Sequence, residues 1–165
     1  MSKAAKAKDV QAEMAQLALQ TRSAQELMTR MVELLHQRML KYNWVGFYML
    51  ERPAGQPPML VLGAFQGAMT PHTRIPLHQG ICGAAASTGK TVVVDDVSQD
   101  PRYLACSLET KSEIVVPVFA NGKVVGELDI DSHFPAAFKD EDRVLVEYCA
   151  GLVSTSLEKS SKAKA

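Results

Sequence analysis

From Asp9 to Leu40 the chain has neither proline nor glycine, and Leu27, Met31, Leu34, Leu35 and Met39 recur three and four residues apart. That spacing stacks apolar side chains on one face of a helix, so at least one amphipathic helix is predicted there. The texture then changes. Trp44–Leu50 and Met59–Phe65 are rich in aromatic and branched residues, and the Pro/Gly group at Pro53–Pro58 separates them, so both read as strands joined by a turn. Gly67–His72 reads as a loop, Arg74–Leu77 as a short strand, Gly80–Ser87 as a short helix behind a flexible glycine, and Thr91–Val94 as another strand. Asp95–Lys111, with Pro101 and Cys106, is a long irregular stretch of the kind that carries function. Glu113–Phe119 and Val124–Ser132 flank Asn121-Gly122, a strong hairpin signal. Asp140–Glu158 closes the chain as a helix with Val144, Leu145, Tyr148, Cys149, Leu152 and Val153 on its apolar face. Helices, then strands, then a helix predict an α+β fold: an antiparallel sheet backed by terminal helices.

The hairpin register decides what each face of that sheet carries. A two-residue turn, with Ala120 opposite Lys123, would put Glu127 and Asp129 on the same face as Ile114, Val116 and Val118. A three-residue loop with a bulge shifts this by one residue. Then Ile114, Val116, Val118, Val124, Leu128 and Ile130 form one apolar face, and Glu113, Glu127, Asp129 and Asp131 gather on the other, with Glu113 across from Asp129. The second register is preferred because it yields a clean core. Like charges side by side on a sheet are destabilising unless solvated or satisfied by a cation. A wet sheet face is the plain reading of the four carboxylates. A site for an amino group is the sharper one, because each carboxylate can accept one of its N–H donors. A hard metal ion is a third, but no loop resembles a dedicated calcium or magnesium motif.

Composition narrows the function classes. The 165 residues suit one domain, 47% of them are hydrophobic, and eighteen Lys and Arg balance eighteen Asp and Glu. A neutral chain lacks the broad attraction that non-specific nucleic-acid or anionic-membrane binding requires. No apolar run approaches the roughly 20 residues of a membrane span, and MSKAAKAKD has no apolar stretch behind it. A cytoplasmic chain without nucleic-acid or membrane partners is expected.

Three cysteines, Cys82, Cys106 and Cys149, are too few for a disulfide framework, and no CxxC or HExxH is present, so no metal or other cofactor is expected. His36, His72, His78 and His133 are scattered. Cys82 begins a short helix, where backbone N–H groups and the helix dipole would lower a thiol's pKa; a small buried residue in a tight turn is the alternative. Cys106 lies in the long polar stretch, where a buried structural thiol is less expected. Cys149 sits in an apolar helical stripe and reads as core.

Seven short motifs occur in order: AsnTrpValGlyPheTyr (43–48), GlyAlaPheGlnGly (63–67), ArgIlePro (74–76), GlyIleCysGlyAlaAla (80–85), AlaCys (105–106), SerGluIleValValPro (112–117) and GlyGluLeuAspIleAspSer (126–132). Together, over Asn43 to Glu147, they resemble the GAF-domain free methionine-(R)-sulfoxide reductases. The resemblance implies a single GAF domain (residues 21–158) with a six-stranded antiparallel sheet, helices on one face and a ligand pocket on the other. The Ala/Lys/Ser composition of the two ends, MSKAAKAK and SSKAKA, predicts a fraying tail and the start of a helix over residues 1–20 and a disordered tail over residues 159–165.

It further implies that Cys106 is the catalytic nucleophile and Cys82 the second redox cysteine. Trp44 and Tyr48 would pack around the methyl and thioether of the substrate, with Ile81 also in the substrate site, while Glu113, Asp129 and Asp131 would hold its ammonium group. Free methionine sulfoxide would be reduced through a sulfenic acid on Cys106. A disulfide with Cys82 could follow, opened by a thioredoxin-like reductant, or an external thiol could attack the sulfenic acid directly, and Glu113 or a held water could supply the proton to the departing oxygen. A homodimer is expected. The chain departs from the pattern at two places. Many members carry a resolving cysteine ten residues before the GlyIleCysGly cysteine, where this chain has His72, and the usual HisIleAlaCys reads TyrLeuAlaCys. A non-catalytic GAF sensor of a small amino-acid-like ligand is the alternative function, and a structural protein dimerising through its N-terminal helix is a third.

Overall fold

The computed structural model describes residues 1–104 and 107–163. Helices α1 (Lys3–Gln20) and α2 (Ala24–Arg38) lead into strands β1 (Trp44–Glu51), β2 (Met59–Gln66) and β3 (Arg74–Pro76). Helix α3 (Gly80–Thr88), strand β4 (Val92–Val94) and a 3-10 turn (Val97–Gln99) follow, then β5 (Ser112–Ala120), β6 (Lys123–Ser132) and α4 (Asp140–Ala163). The strands form one antiparallel sheet in the order β3-β2-β1-β6-β5-β4. No helix among the described residues is long and apolar enough to cross a membrane.

The proline- and glycine-free stretch is two helices rather than one. Ser23 caps α2 by accepting from the Glu26 N–H at 3.1 Å, and the Glu26 carboxylate reaches back to the Arg22 N–H at 2.9 Å. This reciprocal capping starts a new helix without a breaker residue. Composition alone predicts a fraying tail at the N-terminus, yet α1 is helical from Lys3, because it buries Ala7, Val10, Met14 and Leu17. It is also pinned at its start. Lys3 Nζ meets the fully buried Asp142 carboxylate at 2.7 Å, and Tyr42 Oη donates to the other Asp142 oxygen at 2.7 Å. At the other end α4 runs to Ala163, five residues beyond the predicted Glu158.

Helices α1, α2 and α4 cover one face of the sheet, where Val45, Phe47, Ile114, Val116, Leu128 and Ile130 join their apolar stripes in one core. The opposite face carries a smaller cluster under α3, with Trp44, Tyr48, Ile81, Cys82 and Val115 among its members. The α+β expectation and the division into a helix-covered face and an α3 face both hold.

The hairpin reaches its register by a mixed route. Asn121 (φ 52°) and Gly122 (φ 76°) form a tight two-residue turn, with Ala120 opposite Lys123 and Phe119 opposite Val124. A bulge follows, and from there Val118 faces Gly126, Ile114 faces Ile130 and Glu113 faces Asp131. Two expectations are thereby corrected. Glu113 lies across from Asp131, with Asp129 opposite Val115. Val124, before the bulge, packs into the α3-side cluster, and Val125 takes the helix side. The carboxylate and apolar faces otherwise sort as the preferred register requires.

Candidate active site

β1 and β6 build the floor of the site by simple alternation. Trp44, Gly46 and Tyr48 stand opposite Asp131, Asp129 and Glu127, so aromatic and acidic side chains share one face while Val45 and Phe47 point into the helical core. β5 adds Glu113 beside Asp131. A Cβ on Gly46 would lie 2.3 Å from the Trp44 ring, so the indole lies across the space a side chain would take. The ring is held by stacking on Phe65 (centroids 5.8 Å apart, 21° between planes) and by donating from Nε1 to the Ala68 carbonyl at 3.1 Å. Tyr48, 6.1 Å away ring to ring, donates from its hydroxyl to the His72 carbonyl at 2.7 Å.

α3 forms the roof. Gly80 takes φ 70°, a left-handed conformation that side-chain-bearing residues avoid, and a Cβ there would stand 2.9 Å from Leu104 Cδ1. The turn brings Cys82 over the strands, where its Sγ lies 3.4 Å from Asp129 Oδ2. Between roof and floor is a cavity of ≈ 20 Å³, bounded by Tyr48, Cys82, Glu113 and Asp129 together with Ile81 and Leu104. Trp44 and Asp131 lie on the same face of the sheet, outside the lining of this cavity.

All four carboxylates are buried: Glu127 is 0% exposed, Asp129 3%, Asp131 4% and Glu113 5%. Both Glu127 oxygens, Asp129 Oδ1 and Asp131 Oδ1 have no hydrogen-bond partner among the described residues. Burial raises every one of these groups well above the usual carboxylate range. Mutual repulsion adds to it, from Asp129 on Glu113, Asp131 on Asp129, and Glu113 on Asp131. A face of this kind keeps protons or takes up a cation. The wet-face reading fails on burial.

Cys82 corrects the expectation of a thiol activated by its helix terminus. Burial and the negative charges of Asp129, Glu127 and Glu113 push its pKa well above the ordinary thiol value, so it is held as a thiol. The helix dipole is outweighed because three carboxylates lie beneath the sulfur. Cys149 is buried in the helical core and is pushed up to about 12 by burial alone. Cys106 and Ala105 lie outside the described residues.

Of the residues expected at the site, the structure brings Trp44, Tyr48, Ile81, Cys82, Glu113, Asp129 and Asp131 to this one face. Sequence reasoning missed Gly46, Leu104 and the support that Phe65 gives the indole. The first could have been suspected as a glycine interrupting an otherwise bulky strand, a sign of close approach. Leu104 leaves no periodic signal. Cys82 Sγ and oxygens of Glu113 and Asp129 all lie within 4.8 Å of one another, a spacing open to a cation.

Comparison with known proteins agrees with this architecture. Residues 23–157 match the family model of the GAF domain. A free methionine-R-sulfoxide reductase of Saccharomyces cerevisiae is 43% identical over 115 residues, covering 69% of this chain and 62% of that protein. The Escherichia coli protein of the same name is 39% identical over 109 residues, covering 66% of this chain and 62% of that protein. The matched segments thus span less than two thirds of these curated relatives' length. The crystal structure of the Neisseria meningitidis free methionine-R-sulfoxide reductase, in complex with its substrate, superposes with a TM-score of 0.89 at 34% identity, covering 99% of this chain and 95% of that one.

Proposed function

The chain belongs to the GAF-domain family, and from that premise we propose that it reduces free methionine-(R)-sulfoxide to methionine. The observation that carries this reading is the buried acidic face with unpartnered oxygens, set beside an aromatic pair and under a cysteine. Its relatives of that name support the same substrate.

On this reading the substrate ammonium lies against Glu113, Asp129 and Asp131, each accepting an N–H, and its methyl and thioether end lies against Trp44, Tyr48 and Ile81. The acidic face also accounts for selectivity. Methionine sulfoxide inside a peptide has no α-ammonium, so its binding would leave buried carboxylates unpaired. The cavity of ≈ 20 Å³ holds about one water-sized body, so entry of the amino acid requires the pocket to widen.

Cys106 acts as nucleophile. Leu104, two residues before it in sequence, lines the cavity. Its thiolate attacks the sulfoxide sulfur, and the oxygen is transferred to give methionine and a Cys106 sulfenic acid. The proton for the departing oxygen comes from Glu113 or from a held water. Cys82 then attacks the sulfenic acid, releasing water and leaving a disulfide that a thioredoxin-like dithiol reopens. With His72 at the position of the resolving cysteine, resolution falls to Cys82 or to an external thiol that attacks the sulfenic acid directly. The raised pKa of Cys82 makes its own step slow.

The test is turnover of free methionine-(R)-sulfoxide with dithiothreitol and with thioredoxin, beside Cys106→Ser. Turnover with both reductants, lost in the variant, is the expected result. Turnover with dithiothreitol alone would remove Cys82 as the resolving thiol. Folded protein with no turnover under either reductant would favour a GAF ligand sensor.

A further inference from the structure

We propose that the reduced protein binds one zinc-type divalent ion between Cys82 Sγ and one oxygen each of Glu113 and Asp129, in competition with the substrate ammonium. The proposal uses the pocket described above, and it rests on the proposed activity only in naming the competitor. Three observations carry it.

The first is spacing. The three ligand atoms lie within 4.8 Å of one another, and Cys82 Sγ is 3.4 Å from Asp129 Oδ2. With Zn–S about 2.3 Å and Zn–O about 2.1 Å, a tetrahedral ion sets sulfur and oxygen about 3.6 Å apart. The sulfur and the Asp129 oxygen are therefore within a few tenths of an ångström of bridging distance.

The second is size. The cavity that these three residues help to line measures ≈ 20 Å³. Roughly 10–15 Å³ of such volume holds one water molecule. A single ion fits in this state of the protein, whereas an amino acid fits only after the pocket widens.

The third is unmet demand. Among the described residues, Asp129 Oδ1 is buried without a partner, as are Asp131 Oδ1 and both Glu127 oxygens, and no lysine or arginine lines the cavity. A buried negative cluster without a counter-charge is costly, and a divalent ion offsets it more fully than a proton. The thiol selects the metal. Magnesium and calcium prefer all-oxygen shells, whereas zinc and cobalt take a thiolate with carboxylates. Binding replaces the thiol proton: Cys–SH and M²⁺ give Cys–S–M⁺ and H⁺, with no change of oxidation state. A disulfide at Cys82 removes that ligand, so the ion is held by the reduced form alone.

The experiment titrates reduced full-length protein with Co²⁺ and reads the thiolate-to-cobalt absorption band. In parallel, Zn²⁺ is tested for protection of Cys82 against alkylation, read by peptide mass spectrometry. Expected are a band saturating at one equivalent, its loss in Cys82→Ser, its retention in Cys106→Ser, and at least a roughly tenfold weaker affinity in Asp129→Asn. Zn²⁺ should slow Cys82 alkylation by about tenfold or more, in step with the fraction bound. Absence of a band, or a band that survives Cys82→Ser, overturns the proposal. Should Cys82→Ser fail to fold, unprotected Cys82 in the wild-type protein overturns it equally. None of these readouts involves sulfoxide turnover, so an inactive protein that binds cobalt through Cys82 would sink the reductase reading and leave this one standing.

Discussion

The two faces of the β5–β6 hairpin come from the same twenty or so residues and obey opposite rules. On the helix side, Ile114, Val116, Val118, Leu128 and Ile130 meet the apolar stripes of α1, α2 and α4, and burial lowers the free energy of the fold. On the α3 side, Glu113, Glu127, Asp129 and Asp131 are buried to the same degree, and burial there raises it. Alternation by single residues along β6 (Glu127, Leu128, Asp129, Ile130, Asp131) means that stabilising and destabilising positions are covalent neighbours. The helix-covered face holds the strands in place, so the acidic face can be kept in an unfavourable arrangement that a cation would relieve. The proposed site lies on the face that the fold alone would not choose.

Substitutions on neighbouring residues can break this comparison. The largest effect is expected at Leu128, which is fully buried among the helices. Leu128→Ala should cost about 3 kcal/mol in denaturant unfolding, and a loss under 1 kcal/mol would mean the helical face is not the chief support. One residue along, Asp129→Asn should do the reverse. It should raise thermal stability while lowering kcat/KM for the free sulfoxide by about 100-fold, through loss of a charge-assisted hydrogen bond. Unchanged kinetics would remove Asp129 from substrate capture.

Glu127→Gln sharpens the contrast without touching the three residues assigned to the ammonium. Replacing a buried carboxyl that must hold its proton should stabilise the fold at neutral pH by about 1 kcal/mol, read as a Tm higher by roughly 2–4 °C. The pH dependence supplies the sign. Folded carboxyls with raised pKa values keep protons that the unfolded chain gives up from about pH 4, so wild-type stability falls as pH rises through the interval between the two. That fall should be shallower in Glu127→Gln. An equally steep profile would locate the cost elsewhere on the face. The smallest effect compares the described thiols: alkylation of the native protein at limiting reagent should label Cys82, which borders the cavity, before Cys149, whose thiol is fully buried in the helical core. The opposite order would show that the α3 roof is the less mobile of the two.

Much of this arrangement is legible in the sequence because strand alternation is a two-residue rule. Once Asn121-Gly122 marks the turn, the acidic residues at 127, 129 and 131 must share a face and the leucine and isoleucine between them must share the other. What escapes is governed by single atoms. The bulge after the turn moves Glu113 from Ile130, where the two-residue turn alone would pair it, to Asp131, and beside it Gly126 comes so close to β1 that a Cβ would meet the Tyr48 carbonyl oxygen at 2.7 Å. A lone glycine in a strand hints at this without fixing its direction. The break at Thr21–Ser23 is written as a Ser-x-x-Glu capping box, which hydrophobic periodicity does not register. The closed thiol at Cys82 depends on three carboxylates converging from two strands, a tertiary fact with no local trace.

Gly46 has a consequence for how such a pocket diversifies. The Trp44 indole rests where a side chain at 46 would begin, 2.3 Å from the place its Cβ would take, so the depth of the aromatic shelf is set by an atom that glycine does not have. A single change to alanine would displace the ring, altering the shape offered to a guest while every side chain assigned to the guest stays the same. Mutational drift at this one backbone position therefore reaches ligand choice through a residue that no ligand touches.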